Sequence, residues 1–127
     1  PAERGIVGHS YGGLFVTWAT LTRPGLFPHA IAVSPSLWYA ERYLLAYEAA
    51  RAEELSDLPV RLYLTVGARE GSRQRDMVGD LERLAAVLGQ RPYPNLAVES
   101  RVLPDETHNS VFPAALSFGL RWAYRGR

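Results

Sequence analysis

The sequence predicts an α/β protein in which four parallel strands alternate with four helices. Three observations predict it. Short apolar runs bounded by turn residues occur four times, and each is followed by a stretch whose apolar residues recur at helical spacing. No internal repeat or low-complexity linker interrupts that order. A βαβαβαβα sequence of this kind implies a parallel sheet with right-handed crossovers.

The elements read in order as follows. Arg4 to Val7 ends a buried strand, and Leu14, Phe15, Trp18 and Leu21 mark one face of the helix after it. Pro24-Gly25 breaks that pattern before the short strand Ala30 to Val33. A helix rich in alanine, leucine and glutamate covers Leu37 to about Leu55 and is closed by Asp57-Leu58-Pro59. Val60 to Val66 is a strand ending at Gly67, and Met77, Leu81, Leu84 and Leu88 give the next helix the cleanest periodicity, with Gly89 expected to end it. Leu96 to Leu103 alternates Ala97, Glu99 and Arg101 against Val98, Ser100 and Val102, which suits a strand near the sheet edge. After the polar loop Pro104 to Asn109, Ser110 is expected to cap a last helix carrying Phe112, Leu116, Leu120 and Trp122; Pro113 is tolerated in its first turn.

The first joint is chemically distinctive. Gly8-His9-Ser10-Tyr11-Gly12 has the form GxSxG between a strand and a helix. A turn that tight pushes Ser10 toward a strained backbone and brings the positions two before and two after it close together, so glycine is expected at both. The result is a nucleophile elbow, with the hydroxyl held at the carboxyl edge of the sheet beside a helix N-terminus. The alternative is an ordinary glycine-rich βα turn, because small residues cluster in turns of any kind.

Composition narrows the chemistry. The 127 residues leave room for no more than one domain, 47% of them are hydrophobic, and no run approaches the ~20 apolar residues of a membrane-spanning helix. Thirteen acids against fourteen bases leave a net charge of +1, and the scattered bases suggest neither a nucleic-acid surface nor a polybasic membrane surface. Every base is arginine, which excludes lysine Schiff-base and Ser-Lys chemistry within the chain. The lack of cysteine excludes disulfides, thiol catalysis and thiolate metal sites, and His9, His29 and His108 lack metal-ligand spacing. No metal and no cofactor is expected. No secretory signal is legible, so a cytoplasmic location is the expectation.

Chemistry in a parallel sheet collects on loops at the carboxyl ends of the strands. Those loops carry Ser34-Pro35-Ser36-Leu37-Trp38-Tyr39, Gly67-Ala68-Arg69-Glu70-Gly71 and Asp105-Glu106-Thr107-His108-Asn109. Serine, acid, histidine is the chain order of an α/β-hydrolase triad. His108 is the expected base that accepts the Ser10 proton, while His9 is expected beneath the elbow and His29 in a structural role. Glu70 is the preferred acid. Asp76 competes for that role, although a helix N-terminus already accounts for a carboxylate there. Asp105 and Glu106 are expected to shape the histidine loop. The backbone N–H of Tyr11 is the expected oxyanion donor, and Trp38 and Tyr39 offer aromatic surface to substrate, although an aromatic pair opening an amphipathic helix also suits a core.

The segments GHSYGGLF, SPSLWY, VGAREG and DETHNSVFPAALSFGLRW together resemble the esterase D-like α/β-hydrolases, specifically the bacterial branch with ferric-siderophore (enterobactin and bacillibactin type) esterases. The resemblance runs the whole chain. It implies a three-layer sandwich and serine ester hydrolysis through an acyl-enzyme, with Ser10, Glu70 and His108 on the nucleophile, acid and base positions and a small-molecule ester as substrate. It also implies several strands before the elbow, including the loop that gives a second oxyanion donor. The chain is therefore expected to be the carboxyl half of a larger domain, completed by an upstream segment or by self-association. A catalytically incomplete interaction module and an acyltransferase with the same triad are the alternatives.

Overall fold

The computed structural model describes residues 3–126, and its eight elements alternate strand and helix. They are β1 (Gly5–His9), α1 (Tyr11–Thr22), β2 (His29–Val33), α2 (Tyr39–Ala52), β3 (Val60–Gly67), α3 (Met77–Gln90), β4 (Leu96–Leu103) and α4 (Val111–Ala123). The strands lie in the order β1-β2-β3-β4, and every pair is parallel. This is the predicted architecture.

Side-chain alternation along the central strands sorts the helices into layers. Ala30, Ala32, Leu62 and Leu64 face a core shared with α1, α2 and α3, whereas Ile31, Val33 and Tyr63 face α4. Both faces of β2 and β3 are therefore covered, which is why their sequences read as unbroken apolar runs. β4 is one edge, as its alternation implies. β1 is the other, although its sequence reads as doubly buried: Val7 is 45% exposed on the α4 side of the sheet.

The inward faces of two helices differ from expectation. On α1, Phe15 and Trp18 point outward, and Gly13, Val16, Thr17, Thr20 and Leu21 are buried. On α4, Val111, Ala115, Gly119 and Trp122 are buried while Leu120 is exposed. In both, small residues let the helix lie close to the sheet, so side-chain bulk was a poor guide to the buried face.

Smaller corrections concern helix ends. α3 runs one residue past Gly89. Asp76 is its N-cap and accepts a hydrogen bond from the Gly79 N–H at 3.0 Å. Ser110 does not cap α4 through its side chain; its Oγ instead accepts from the Thr107 N–H at 2.9 Å, tightening the preceding loop. α2 opens with Ala40, Glu41 and Arg42 in the left-handed region and becomes right-handed only after them. Arg42 anchors this turn by donating from Nε to the buried carboxylate of Asp80 at 2.8 Å. His29 is structural as expected, donating from Nδ1 to the Ala123 carbonyl and stacking on Tyr124.

The β1–α1 joint has the predicted strain. Ser10 sits at φ 65° and ψ −117°, a conformation that costs a non-glycine residue about 1–3 kcal/mol. Hydrogen bonds from Ser10 N to the Val33 carbonyl, and from Leu14 N and Ser36 N to the Ser10 carbonyl, hold it there. A Cβ at position 8 would lie 2.2 Å from the Gly12 carbonyl oxygen, so glycine is required at that position. Position 12 is different, because a Cβ there meets nothing within 4 Å. The second close approach falls one residue later, where a Cβ on Gly13 would lie 2.8 Å from the Val33 carbonyl.

Two predictions follow from these contacts. Gly8→Ala and Gly13→Ala will each destabilise by the ~1–3 kcal/mol typical of overpacking, seen as a lower urea midpoint, while Gly12→Ala will leave the midpoint unchanged or raised, since alanine is the better helix former. Equal effects at positions 8 and 12 would contradict this account of the elbow. The second concerns Glu48, which is 1% exposed and takes two hydrogen bonds from Arg91 at 2.8 Å each. Arg91→Ala will destabilise by about 1–3 kcal/mol, less than for a fully buried pair because Arg91 keeps part of its surface in water. Glu54→Ala, which breaks the exposed pair with Arg51, will cost under about 0.5 kcal/mol in the same denaturation series.

Candidate active site

Parallel strands end at one edge of the sheet, and the loops leaving β1, β2, β3 and β4 meet there. Backbone hydrogen bonds align them before any side chain acts. Ser34 N bonds to the Thr65 carbonyl, Ala68 N to that of Leu103, and Arg69 N to that of Glu106. Glu70 therefore lies beside the loop that carries His108.

Glu70 is only 1% exposed at its side chain, and all its hydrogen bonds come from groups brought by other loops or by its own turn. Oε2 accepts from Ser34 Oγ at 2.5 Å and from the Gly67 N–H at 2.7 Å. Oε1 accepts from His108 Nδ1 at 2.6 Å. That bond fixes the ring tautomer with the proton on Nδ1, which leaves Nε2 as an acceptor. Nε2 lies 3.1 Å from Ser10 Oγ, so the serine hydroxyl can donate to it. Serine, imidazole and carboxylate thus form one continuous relay. Asp76 is outside it, turned toward the start of α3.

His9 packs beneath the relay as expected, its ring centroid 4.8 Å from that of His108 and 5.7 Å from that of Phe112. Burial, and next the positive charge available to His108, hold its pKa below the ordinary histidine value. The loop residues next to His108 shape its backbone. Asp105 takes a left-handed conformation, and Ser110 Oγ donates to Glu106 Oε2.

A cavity of about 340 Å³ opens onto Ser10, Ser36, Trp38, Glu70, Arg75 and His108. Tyr11 is the first residue of α1 and directly follows Ser10, so its N–H is one of the helix's first donors without an intrahelical acceptor. Of the two aromatic candidates, Trp38 lines this cavity. Tyr39 instead lines a neighbouring apolar groove of about 490 Å³ with Leu14, Phe15 and Trp18, and the Tyr11 ring borders both spaces.

Sequence reasoning missed four residues here. Ser34 fixes the second oxygen of Glu70, and Ser36 places its Oγ 3.4 Å from Ser10 Oγ. Arg75 and Met77 complete the cavity wall. The two serines were visible as a polar SPS step directly after a buried strand. Arg75 carried no signal of its own, because its position depends on how the loop after β3 folds back.

Residues 1–113 match the family model described as "Putative esterase". The chain is 32% identical over 123 residues to the ferri-bacillibactin esterase BesA of Bacillus subtilis (strain 168), covering 93% of this chain and 42% of that protein. It is 33% identical over 139 residues to the siderophore enterobactin esterase of Emericella nidulans, covering 91% of this chain and 45% of that protein. Among solved structures, the BES protein from Bacillus cereus superposes with a TM-score of 0.81 at 27% identity, over 96% of this chain and 45% of the other. The siderophore hydrolase EstB from Aspergillus nidulans gives a TM-score of 0.83 at 25% identity, over 97% and 50% respectively. The chain spans about half the length of these relatives. By family match, sequence identity and fold together, it belongs to this esterase family and has its α/β-hydrolase-type sheet.

Proposed function

We propose that this chain carries the catalytic centre of a serine hydrolase that cleaves carboxylic esters through an acyl-enzyme. The observation that carries the reading is the hydrogen-bonded relay from Ser10 Oγ through His108 to Glu70, at 3.1 Å and 2.6 Å. Membership of the esterase family supports the reaction class. Relatives named ferri-bacillibactin esterase and siderophore enterobactin esterase support a siderophore-type ester as the substrate.

Ser10 Oγ attacks the ester carbonyl carbon as its proton passes to His108 Nε2. The carbonyl π electrons move onto oxygen, and the Tyr11 N–H at the start of α1 donates to that oxyanion. When the carbonyl re-forms, the bond to the alcohol oxygen breaks, and His108 gives its proton to the departing alkoxide. Water then attacks the Ser10 acyl ester, with His108 again taking the proton and returning it to Ser10 Oγ as the carboxylic acid leaves. Glu70 holds Nδ1–H throughout and stabilises the imidazolium formed in each half-reaction. Trp38 supplies one wall for the substrate and Tyr39 borders the adjoining apolar groove.

Fluorophosphonate labelling tests the reading directly, since it needs an activated serine. Wild-type protein will be labelled at Ser10 and Ser10→Ala will not; labelling that persists in Ser10→Ala overturns the assignment. With p-nitrophenyl acetate, Ser10→Ala and His108→Ala will each lower kcat by several orders of magnitude, up to about 10⁶-fold, and the double variant will lose little more because the two residues act as a unit. Glu70→Gln will lower kcat by about 10⁴-fold with the fold intact. Asp76→Asn will leave kcat near wild type and reduce stability by under about 1 kcal/mol as a weakened helix cap. The opposite ranking of the two acid variants would move the acid role to Asp76.

A further inference from the structure

The cavity around Ser10 contains one cationic side chain that the hydrolytic steps do not use. Of the other twelve arginines among the described residues, Arg101 and Arg121 lie over the Phe118 ring and five more bond carboxylates or backbone carbonyls. Arg42 and Arg83 donate to Asp80, Arg51 to Glu54, Arg91 to Glu48, and Arg61 to backbone carbonyls at the end of α4. Arg75 has no ion pair among the described residues. Its guanidinium lies over the Trp38 ring, with the central carbon 4.0 Å from the ring centroid. Trp38 and Arg75 both line the cavity that opens onto Ser10 and His108.

The backbone fixes Arg75 in that place. Ser72 N bonds to the Arg75 carbonyl at 3.0 Å, Arg75 N to the Ser72 carbonyl at 3.3 Å, and Met77 N to the Arg75 carbonyl at 2.8 Å. Gly71, at φ 103°, lets this turn close: a Cβ there would lie 2.6 Å from the Arg75 carbonyl oxygen. The acid in the same cavity wall and the acid next in the chain are committed elsewhere. Both Glu70 oxygens already accept hydrogen bonds, and Asp76 caps α3. A guanidinium lying over an indole face can still present N–H donors, and a guanidinium fork matches a carboxylate in a two-point contact.

We propose that Arg75, seated on Trp38, is a substrate-recognition residue that selects esters bearing a carboxylate or similar oxyanion near the scissile bond. The inference deepens the hydrolase reading and rests on it for the word ester. It assigns the cavity a fixed positive charge, to be met by an anionic group on either the acyl or the alcohol side.

The test compares charged and neutral esters in the full-length protein. 4-Nitrophenyl hemisuccinate places the anion on the acyl side, with 4-nitrophenyl butyrate as its neutral partner. 4-Acetoxybenzoate places it on the alcohol side, with its methyl ester as partner. Arg75→Gln will lower the charged-to-neutral ratio of kcat/KM by about tenfold or more for at least one pair, through KM. Arg75→Lys will recover part of that ratio, since it keeps the charge without the planar fork. Arg73→Gln, in the same loop but outside the cavity wall, will change the ratio less than about twofold. Equal loss on charged and neutral esters, or a ratio no different from that of Arg73→Gln, overturns the proposal. Calorimetric binding of the same esters to the Ser10→Ala protein separates the two readings. Arg75-dependent binding in a protein whose wild type hydrolyses no ester would refute the hydrolase reading and keep the recognition role. Normal hydrolysis with binding indifferent to Arg75→Gln would do the reverse.

Discussion

The carboxylate of Glu70 is the point at which the ends of all four strands are tied together. Its two oxygens take hydrogen bonds from Ser34 after β2, from Gly67 at the end of β3 and from His108 after β4; His108 in turn reaches Ser10 after β1. An ionised carboxylate removed from water carries a large desolvation cost, and it is tolerated only where charge-assisted hydrogen bonds fill its acceptor sites. Here those bonds do two things at once. They satisfy the buried charge, and because the donors come from separate loops they fix the loops relative to one another. The imidazole is therefore held in one tautomer and one orientation by the fold itself.

Order in the sheet explains why the chain was so readable at this edge. Strand type, strand order and the serine–acid–histidine succession depend on local signals: apolar runs, the glycine before the serine, and polar loops placed directly after strands. Each was present within a few residues of the feature it specifies. Glu70 could also be preferred over Asp76 on local grounds, since a carboxylate beginning a helix has a use already, and the cap from Asp76 to Gly79 is that use.

What was not legible depends on distance between elements. The inward faces of α1 and α4 are made from Gly13, Thr17 and Thr20, and from Ala115 and Gly119, while Phe15, Trp18 and Leu120 look outward. A pattern reader ranks positions by size and apolarity, but a helix crossing a parallel sheet at close range needs small residues at the contact. Gly119 sits against Ile31, where a Cβ would come within 2.9 Å of the isoleucine side chain. The same logic moves the second essential glycine of the elbow from position 12 to position 13: the crowding comes from the Val33 carbonyl on the neighbouring strand rather than from the turn itself. Arg75 was hidden for a similar reason. Fourteen arginines spread along a chain look scattered, and only the folding of the loop after β3 puts one of them over Trp38.

The pairing of His9 with His108 shows how the site confines charge. Two imidazoles whose centroids are 4.8 Å apart repel each other if both carry a proton. The environment separates them by position. His9 is half-buried against Phe112, its Nε2 has no hydrogen-bond partner among the described residues, and burial and then the neighbouring histidine hold its pKa below the ordinary histidine value. His108 opens to the cavity and holds Glu70 on its far side. Of the two rings, it is His108 that hydrogen-bonds to Glu70, while His9 packs beneath it against Phe112.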